Sequence, residues 1–164
     1  MDSKEYLDML QQRLARFFDE KPVPCGSGFD FAAELNAKDE GYFLVPSMKT
    51  YSVSHNEYVY LKIMDAGFSA ADMEPCLACL KEKMRSLKTT TEHMSSLFSA
   101  VFITGGPLAP EAEEAVHKIK FHKDYAFTLK GWSDLAVFAV STSERKIICN
   151  KAGEKTVQYY KFPV

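Results

Sequence analysis

The sequence predicts a single α+β domain over residues 1–164, in which about three helices flank a largely antiparallel or mixed β-sheet. Residues 95–104 are rich in aromatic and β-branched side chains and carry no charge, which is typical of a central strand covered on both faces. Apolar residues recur at helical spacing in three segments and alternate with polar residues in most of the others. No repeat or low-complexity linker divides the chain.

The N-terminal segment predicts an amphipathic helix. Asp2 or Ser3 can cap it, and Glu5 stands three residues after Asp2, as in a capping box. Lys21-Pro22-Val23-Pro24 cannot continue a helix, because proline lacks an N–H and favours an extended residue before it. We therefore expect this helix to end near Glu20.

Three strands are predicted next, over residues 29–36, 42–45 and 57–64. The first shows alternation of apolar and polar residues, which indicates one buried face. The connections between the three are short enough for an antiparallel meander.

A second and a third helix lie on either side of the central strand. Either Ser69 or Asp72 can cap the second helix, and Asp72 fits better because Pro75 then lies in the first turn. Gly105-Gly106-Pro107 ends the central strand. Apolar residues at helical spacing within 108–119 predict the third helix.

The C-terminal part reads as strands. Tyr125, Phe127 and Leu129 alternate with other residues, and Gly153 stands where a three-residue hairpin loop needs a positive φ. Four strands are predicted in this part, over residues 123–129, 132–140, 146–149 and 157–162.

Composition indicates an ordinary globular protein, with 46% hydrophobic and 26% charged residues. No apolar run reaches the length of about 18 residues that a membrane span requires, and the first residues lack the pattern of a signal peptide. We expect a cytoplasmic protein without a membrane partner. The four cysteines are sparse for a chain that can build its own core, so we expect reduced thiols.

Charge is distributed unevenly along the chain. Residues 1–114 contain 11 basic and 18 acidic side chains, whereas residues 115–164 contain 9 and 4. In this C-terminal part, lysines are interleaved with aromatic residues, as in proteins that bind single-stranded nucleic acid. Because a half-buried strand with aromatic residues inside and lysines outside gives the same pattern, we do not expect nucleic-acid binding. The interleaved residues are Lys118, Lys120, Phe121, Lys123, Tyr125, Phe127, Lys130 and Trp132.

Cys76-Leu77-Ala78-Cys79 at the start of a helix is the sharpest chemical signal. A helix N-terminus favours the thiolate of a redox site, but Cys76 also belongs to the apolar stripe of its helix. Zinc would need two further ligands among His93, His117, His122 and Cys149, and no spacing pairs these residues. We expect neither a metal nor a cofactor.

The Gly105-Gly106-Pro107 turn also has the position of a phosphate-binding loop, between a strand and a helix. Pro107 and Pro110 remove two donors, and residues 111–114 place carboxylates where a phosphate would lie. We expect helix capping by carboxylates in this position.

The predicted order α-β-β-β-α-β resembles the core of restriction-endonuclease-like nucleases. That resemblance implies an acid on one strand and a Glu-x-Lys sequence on the next, which hold Mg²⁺. Tyr60 stands where the acid of the third strand belongs, and residues 42–45 contain no carboxylate. If the chain has this fold, it lacks the metal-binding motif.

Three short motifs resemble a bacterial, clostridial-type family known as a domain of unknown function: Glu92-His93-Met94, Lys130-Gly131-Trp132 and Asn150-Lys151-Ala152-Gly153. The resemblance covers the C-terminal half of the chain. It implies no catalytic residue.

Two hypotheses on function follow. The first is a non-catalytic intracellular domain that binds a small ligand or a partner, either another protein or a second copy of itself. The second is an enzyme with scattered site residues. Glu92, His93, Lys130 and Trp132 are the candidate site residues, because they flank predicted strand ends.

Overall fold

The computed structural model describes residues 1–37, 54–89, 93–127 and 129–164. Within them, a mixed seven-stranded sheet carries helices on both faces, which confirms the predicted α+β class. The α-helices are α1 (Ser3–Leu14), α2 (Ala70–Arg85) and α3 (Pro110–Lys118). The strands are β1 (Asp19–Lys21), β2 (Phe31–Ala37), β3 (Ser54–Met64), β4 (His93–Thr104), β5 (His122–Asp124), β6 (Trp132–Ser141) and β7 (Lys146–Cys149). Two 3₁₀ helices follow, Lys151–Lys155 and Val157–Tyr160.

The sheet has the strand order β1-β2-β3-β4-β6-β5, and β7 pairs with the C-terminal half of β6. The central strands β3, β4 and β6 are parallel, since α2 and α3 connect them as crossovers. The outer pairs are antiparallel. β2 pairs directly with β3, whereas the predicted meander placed the strand over residues 42–45 between them. The strand predicted over residues 42–45 lies outside the described residues.

Two hydrophobic clusters cover the two faces of the sheet. On the face that we call the α1 face, α1 and the second 3₁₀ helix pack over β2, β3, β4 and β6. On the α2 face, α2 and α3 pack against the same sheet. Phe98 and Val101 of β4 point to opposite faces and are both fully buried, which confirms the predicted central strand.

The first helix is shorter than predicted. It ends at Leu14, not near Glu20, because the N–H groups of Phe17 and Phe18 both donate to the Leu14 carbonyl, at 2.9 and 2.8 Å. This tight turn buries the Phe18 side chain and leads Asp19–Lys21 to the edge of β2. Pairing with the sheet ends the helix before the prolines are reached.

The helix caps agree with the prediction at α1 and differ at α2. Asp2 and Glu5 form the expected capping box, with both hydrogen bonds at 2.8 Å. At α2 the cap is Ser69, not Asp72. The Asp72 carboxylate is the third residue of the box and accepts from the Ser69 N–H at 2.7 Å. Pro75 therefore lies inside the helix and removes one of its hydrogen bonds.

The strand predicted over residues 123–129 stops at Asp124. Ala126 and Phe127 have φ of 50° and 55°, and the Leu129 N–H donates to the Ala126 carbonyl at 3.1 Å. Tyr125, Phe127 and Leu129, whose spacing predicted a strand, therefore lie in a turn. Of these three residues, Tyr125 alone is buried.

The second 3₁₀ helix, Val157–Tyr160, replaces the strand predicted over residues 157–162. Its short turn buries two consecutive tyrosines, whereas a strand would point Tyr159 and Tyr160 to opposite sides. Arg13 of α1 holds this helix by donating to the Tyr159 carbonyl at 2.6 Å. A contact between distant parts of the chain therefore decides this local structure.

Asn150 begins the first 3₁₀ helix, where a hairpin turn was predicted. Its side-chain oxygen accepts from the N–H groups of Val137 and Gly153, at 3.0 and 3.1 Å. Its amide group donates to the carbonyls of Leu135 and Ile119, at 2.8 and 3.0 Å. Asn150 is 1% exposed, so these bonds satisfy a buried amide and connect β6 with the end of α3.

Gly153 is required for space, not for a positive φ as predicted. A Cβ atom at this position would lie 2.9 Å from both the Cys149 Cβ and the Phe138 Cζ. We expect Gly153→Ala to lower the free energy of unfolding by about 1–3 kcal/mol through overpacking, measured by urea denaturation. Gly105→Ala is the control, since its Cβ would approach only the Ser3 hydroxyl, at 3.3 Å. Equal losses for the two variants would contradict this explanation.

Candidate ligand-binding site

The carboxyl ends of the parallel strands, where open α/β sheets usually bind ligands, are filled by the protein's own polar groups. The Ser141 hydroxyl donates to the Gly106 carbonyl at 2.8 Å. The Glu144 carboxylate accepts from the Leu108 N–H at 3.1 Å, just before α3. Glu111 and Glu113 lie in the first turn of α3 as expected but form no cap hydrogen bond, and the carboxylate that bonds the backbone here comes from the β6–β7 turn.

The amino ends of the same strands carry polar side chains on the α1 face. The strand register aligns two rows across β3, β4 and β6: His55, Ser95 and Trp132, followed by Glu57, Leu97 and Asp134. The first row is half-buried and the second contains the buried Glu57. Polar groups therefore continue from the partly exposed end of the sheet into its interior.

Glu57 is the most unusual residue of this region. It lies on the same face of β3 as Val59 and Leu61, which belong to the core of the α1 face. It is only 3% exposed. Burial raises the pKa of its carboxyl to about 7, and no described residue supplies a charge that opposes this shift. The carboxyl group therefore changes charge near neutral pH.

Tyr160 lies on the second 3₁₀ helix above the same part of the sheet. Its ring packs 4.4 Å from the ring of Phe138, and the Tyr6 hydroxyl donates to its carbonyl oxygen. Burial raises the pKa of Tyr160; Ser99 lowers it and the charge of Glu57 raises it, so both residues lie nearby. The Tyr160 hydroxyl is nevertheless buried without a partner of hydrogen-bond geometry among the described residues.

We call Glu57, Ser99 and Tyr160 the polar cluster. Ser99 is 2% exposed and Tyr160 is fully buried. In the adjoining row, the His55 Nδ1 atom hydrogen-bonds the Ser95 hydroxyl. The polar cluster is therefore a group of buried polar side chains next to a half-buried histidine–serine pair.

A second group of polar residues lies at the β5 edge of the same face. The His122 ring bonds the carboxylate of Asp134 at 2.6 Å through Nδ1 and that of Asp124 at 3.0 Å through Nε2. The hydrogen bond to Asp134 raises the pKa of His122 most, and burial lowers it in part. These contacts fasten β5 to β6 beside the row that contains Glu57.

Of the four predicted site residues, the structure describes Trp132, Lys130 and the backbone of His93. Trp132 stands in the row of His55 and Ser95. His93 begins β4 at the same end of the sheet, while its side chain lies outside the described residues, as does Glu92. Lys130 is exposed on the β5–β6 hairpin.

Sequence reasoning missed the polar cluster, although one signal of it was present. A carboxylate at position 57, in phase with Val59, Leu61 and Ile63, interrupts the apolar stripe of a strand. Nothing comparable marks Tyr160, since it reaches the sheet only because residues 157–160 fold as a 3₁₀ helix.

The described residues do not include the metal-binding residues that the resemblance to nucleases implies. The described elements run α-β-β-β-α-β, but Asp19–Lys21 supplies one of the three strands and the predicted strand over residues 42–45 lies outside the described residues. Tyr60, which stands in the position of an acid, is buried on the α2 face. Within the described ranges, no three His, Cys, Asp or Glu side chains are grouped so that they could hold a metal ion.

All four cysteines are free thiols. Burial raises the pKa of Cys76, and Lys62 opposes this shift only in part. A redox thiol needs the opposite shift, toward the thiolate. Cys76 therefore has the environment of a core residue.

We expect a thiol reagent to modify the exposed Cys25 first and the buried Cys76 only on unfolding. Time-resolved mass spectrometry of the modified protein measures this order, and elemental analysis of the same sample should give no stoichiometric zinc. Rapid modification of Cys76 in the native protein, a disulfide, or bound zinc would each contradict the expectation.

The fold and the polar cluster define a class of protein: an α+β domain with a mixed sheet and a buried carboxyl group on one face. The chain belongs to the family described as Domain of unknown function (DUF8052), which matches residues 2–162. No curated protein and no solved structure matches the chain.

Proposed function

We propose that the protein is a non-catalytic binding domain and that the polar cluster receives a small ligand with a cationic or hydrogen-bond-donating group. The observation that carries this proposal is the buried Glu57 carboxyl beside a Tyr160 hydroxyl that has Ser99 nearby but no partner of good hydrogen-bond geometry among the described residues. Buried polar groups cost free energy when nothing satisfies them. A ligand that donates to the carboxylate and to the hydroxyl oxygen would lower that cost.

The burial pattern supports an approach from the amino ends of the parallel strands. Glu57 is buried, while His55, Ser95 and Trp132 in the adjoining row are half-buried. At the opposite end of the sheet, Ser141 and Glu144 already bond the backbone. A ligand that enters beside His55 would meet the carboxyl group next, since Glu57 follows His55 on the same face of β3.

Titration with a simple ammonium ion, n-butylammonium, tests the proposal. We expect shifts of the backbone amide resonances of β3 and of the second 3₁₀ helix, and we expect binding to strengthen as pH rises through about 7 because Glu57 then ionises. Glu57→Gln should abolish binding. Glu34→Gln, at a half-buried position of β2, is the matched control. An unresponsive wild-type protein at pH 8, or unchanged binding by Glu57→Gln, would contradict the proposal.

Acid–base catalysis at the same place is the second candidate function. A carboxyl pKa of about 7 suits a general acid or base, and the His55–Ser95 hydrogen bond lies in the adjoining row. The site would then include Trp132 together with the other predicted residues, Glu92, His93 and Lys130. Labelling of Ser95 by a fluorophosphonate, lost in His55→Ala, would favour this alternative over simple binding.

We further propose that residues 1–164 form one cytoplasmic domain of a bacterial, clostridial-type protein. The unbroken sheet and a family match over residues 2–162 support one domain. Free thiols support a reducing compartment. The three motifs of the C-terminal half support the origin. Another protein or a second copy of the chain remains an alternative partner to a small ligand.

A further inference from the structure

We propose that the tip of the β5–β6 hairpin and the basic end of α2 dock the protein onto the surface of an anionic lipid bilayer. This surface consists of Phe127 and Leu129 at the tip with Lys81, Arg85, Lys123 and Lys130 around it, and we call it the hairpin surface. It is separate from the polar cluster, so its test does not depend on the proposed function.

The hairpin tip exposes two large apolar side chains. Phe127 is 97% exposed and Leu129 is 78% exposed. Ala126 and Phe127 both have positive φ, a conformation that is unfavourable for residues other than glycine, asparagine and aspartate. Phe127 therefore does not stabilise the fold, because its side chain is not buried and its backbone conformation is unfavourable. Strain and exposed apolar area at the same residue are features of functional surfaces.

The basic end of α2 lies directly against this hairpin. The Tyr125 hydroxyl donates to the Met84 carbonyl at 2.6 Å, in the last turn of α2. Lys81 and Arg85 lie over the ring of Phe121, at 5.7 and 5.2 Å from its centroid. These contacts hold two cations of α2 beside the strand that leads to the tip.

The hairpin itself adds positive charge. Lys123 precedes the tip and Lys130 follows it, and Lys130 is exposed. Two carboxylates lie among the segments that form this surface: Asp124, which bonds His122 at 3.0 Å, and Glu82, which pairs with Arg85 at 3.5 Å. Charge acts over about 8 Å at physiological salt, so this local excess matters more to a nearby surface than the net charge of the whole chain.

A lipid surface fits this combination better than a groove does. The tip is convex, and apolar side chains flanked by cations can enter the interface of a bilayer while the lysines meet anionic headgroups. The absence of long apolar runs led us to expect no membrane partner, and the exposed apolar tip leads us to propose one in place of that expectation. No helix within the described ranges could cross a membrane, and the proposed contact is with the surface alone.

Co-sedimentation of the full chain with vesicles tests the proposal. We expect binding to phosphatidylcholine vesicles with about 30% phosphatidylglycerol, weaker binding at high salt, and little binding to phosphatidylcholine alone. Phe127→Asn should reduce binding about tenfold or more. Asparagine tolerates positive φ, so this variant should unfold at the same urea concentration as the wild type or a higher one. Lys123→Glu should weaken binding to the anionic vesicles only.

Matched controls lie on other parts of the molecule. Phe17 is 45% exposed in the turn after α1, and Lys4 is exposed on α1. Phe17→Asn and Lys4→Glu should leave vesicle binding unchanged. Absence of binding to anionic vesicles, or equal effects of Phe17→Asn and Phe127→Asn, would overturn the proposal. So would Phe127-dependent dimerisation without vesicle binding, or oligonucleotide binding in its place.

Discussion

Phe102→Ala is expected to lower the free energy of unfolding by about 3–5 kcal/mol, the usual loss for an aromatic truncation in a core. Phe102 is fully buried at the centre of β4, and its ring lies 6.3 Å from that of Phe29 and 6.4 Å from that of Phe68. Truncation leaves a cavity between the sheet and α2, because the paired strands on both sides of β4 cannot collapse into the space. Urea denaturation measures the loss.

The matched comparison is with lysines at the edge of the sheet. Lys123→Ala and Lys130→Ala should change stability by about 0.5 kcal/mol or less. Leu97→Ala should cost a similar amount of stability to Phe102→Ala because Leu97 is buried. The sequence also predicted Trp132 as a core residue, but it is half-buried, so Trp132→Ala should cost less stability than Phe102→Ala. Comparable losses in the lysine and Phe102 variants would mean that the core is wrongly assigned.

Glu57→Gln is expected to be more stable than the wild type at pH 8, by on the order of 3 kcal/mol at about 1.4 kcal/mol per pKa unit. The folded protein raises the carboxyl pKa from 4.5 to about 7, so it binds a proton more tightly than the unfolded chain does. The wild type therefore loses stability as pH rises from 4.5 through 7, while glutamine cannot ionise. Below pH 4.5 the two proteins should be equally stable.

Urea midpoints measured across pH 4 to 8 test this dependence, at about unit steps around the shifted pKa. Glu34→Gln, which is half-buried on β2, provides the control for loss of a carboxylate from the sheet. A Glu57→Gln protein whose stability falls with pH as steeply as that of the wild type would show that Glu57 is not the responsible group. A gain in stability with a loss of ligand binding would show that the carboxyl is maintained for function.

Local sequence patterns predicted much of the sheet. The strand Lys146–Cys149 has its predicted bounds, and the strand that begins at Trp132 ends one residue later than predicted. The central strand was recognisable because uncharged, β-branched and aromatic residues indicate burial on both faces. Residue type and spacing predict these strands correctly because they determine which side chains are buried away from water.

Local patterns failed where a distant contact decides the backbone. Tyr125, Phe127 and Leu129 have the spacing of a strand, yet the Tyr125 hydroxyl bonds the end of α2 and the chain turns immediately after it. Residues 157–160 have the composition of a strand, but Arg13 and the buried tyrosines make a 3₁₀ helix more favourable.

The sequence alone determined the α+β class, most strands and which residues are apolar and buried, because burial of apolar surface follows from residue type and spacing. The tertiary structure alone decided the candidate site. Glu57 and Tyr160 are distant in the chain, and although the Glu57 carboxylate interrupts an apolar stripe, nothing in the sequence places Tyr160 beside it. Only their meeting on the α1 face removes water from the carboxyl and leaves the hydroxyl without a partner, since desolvation depends on what covers a group and not on its sequence position.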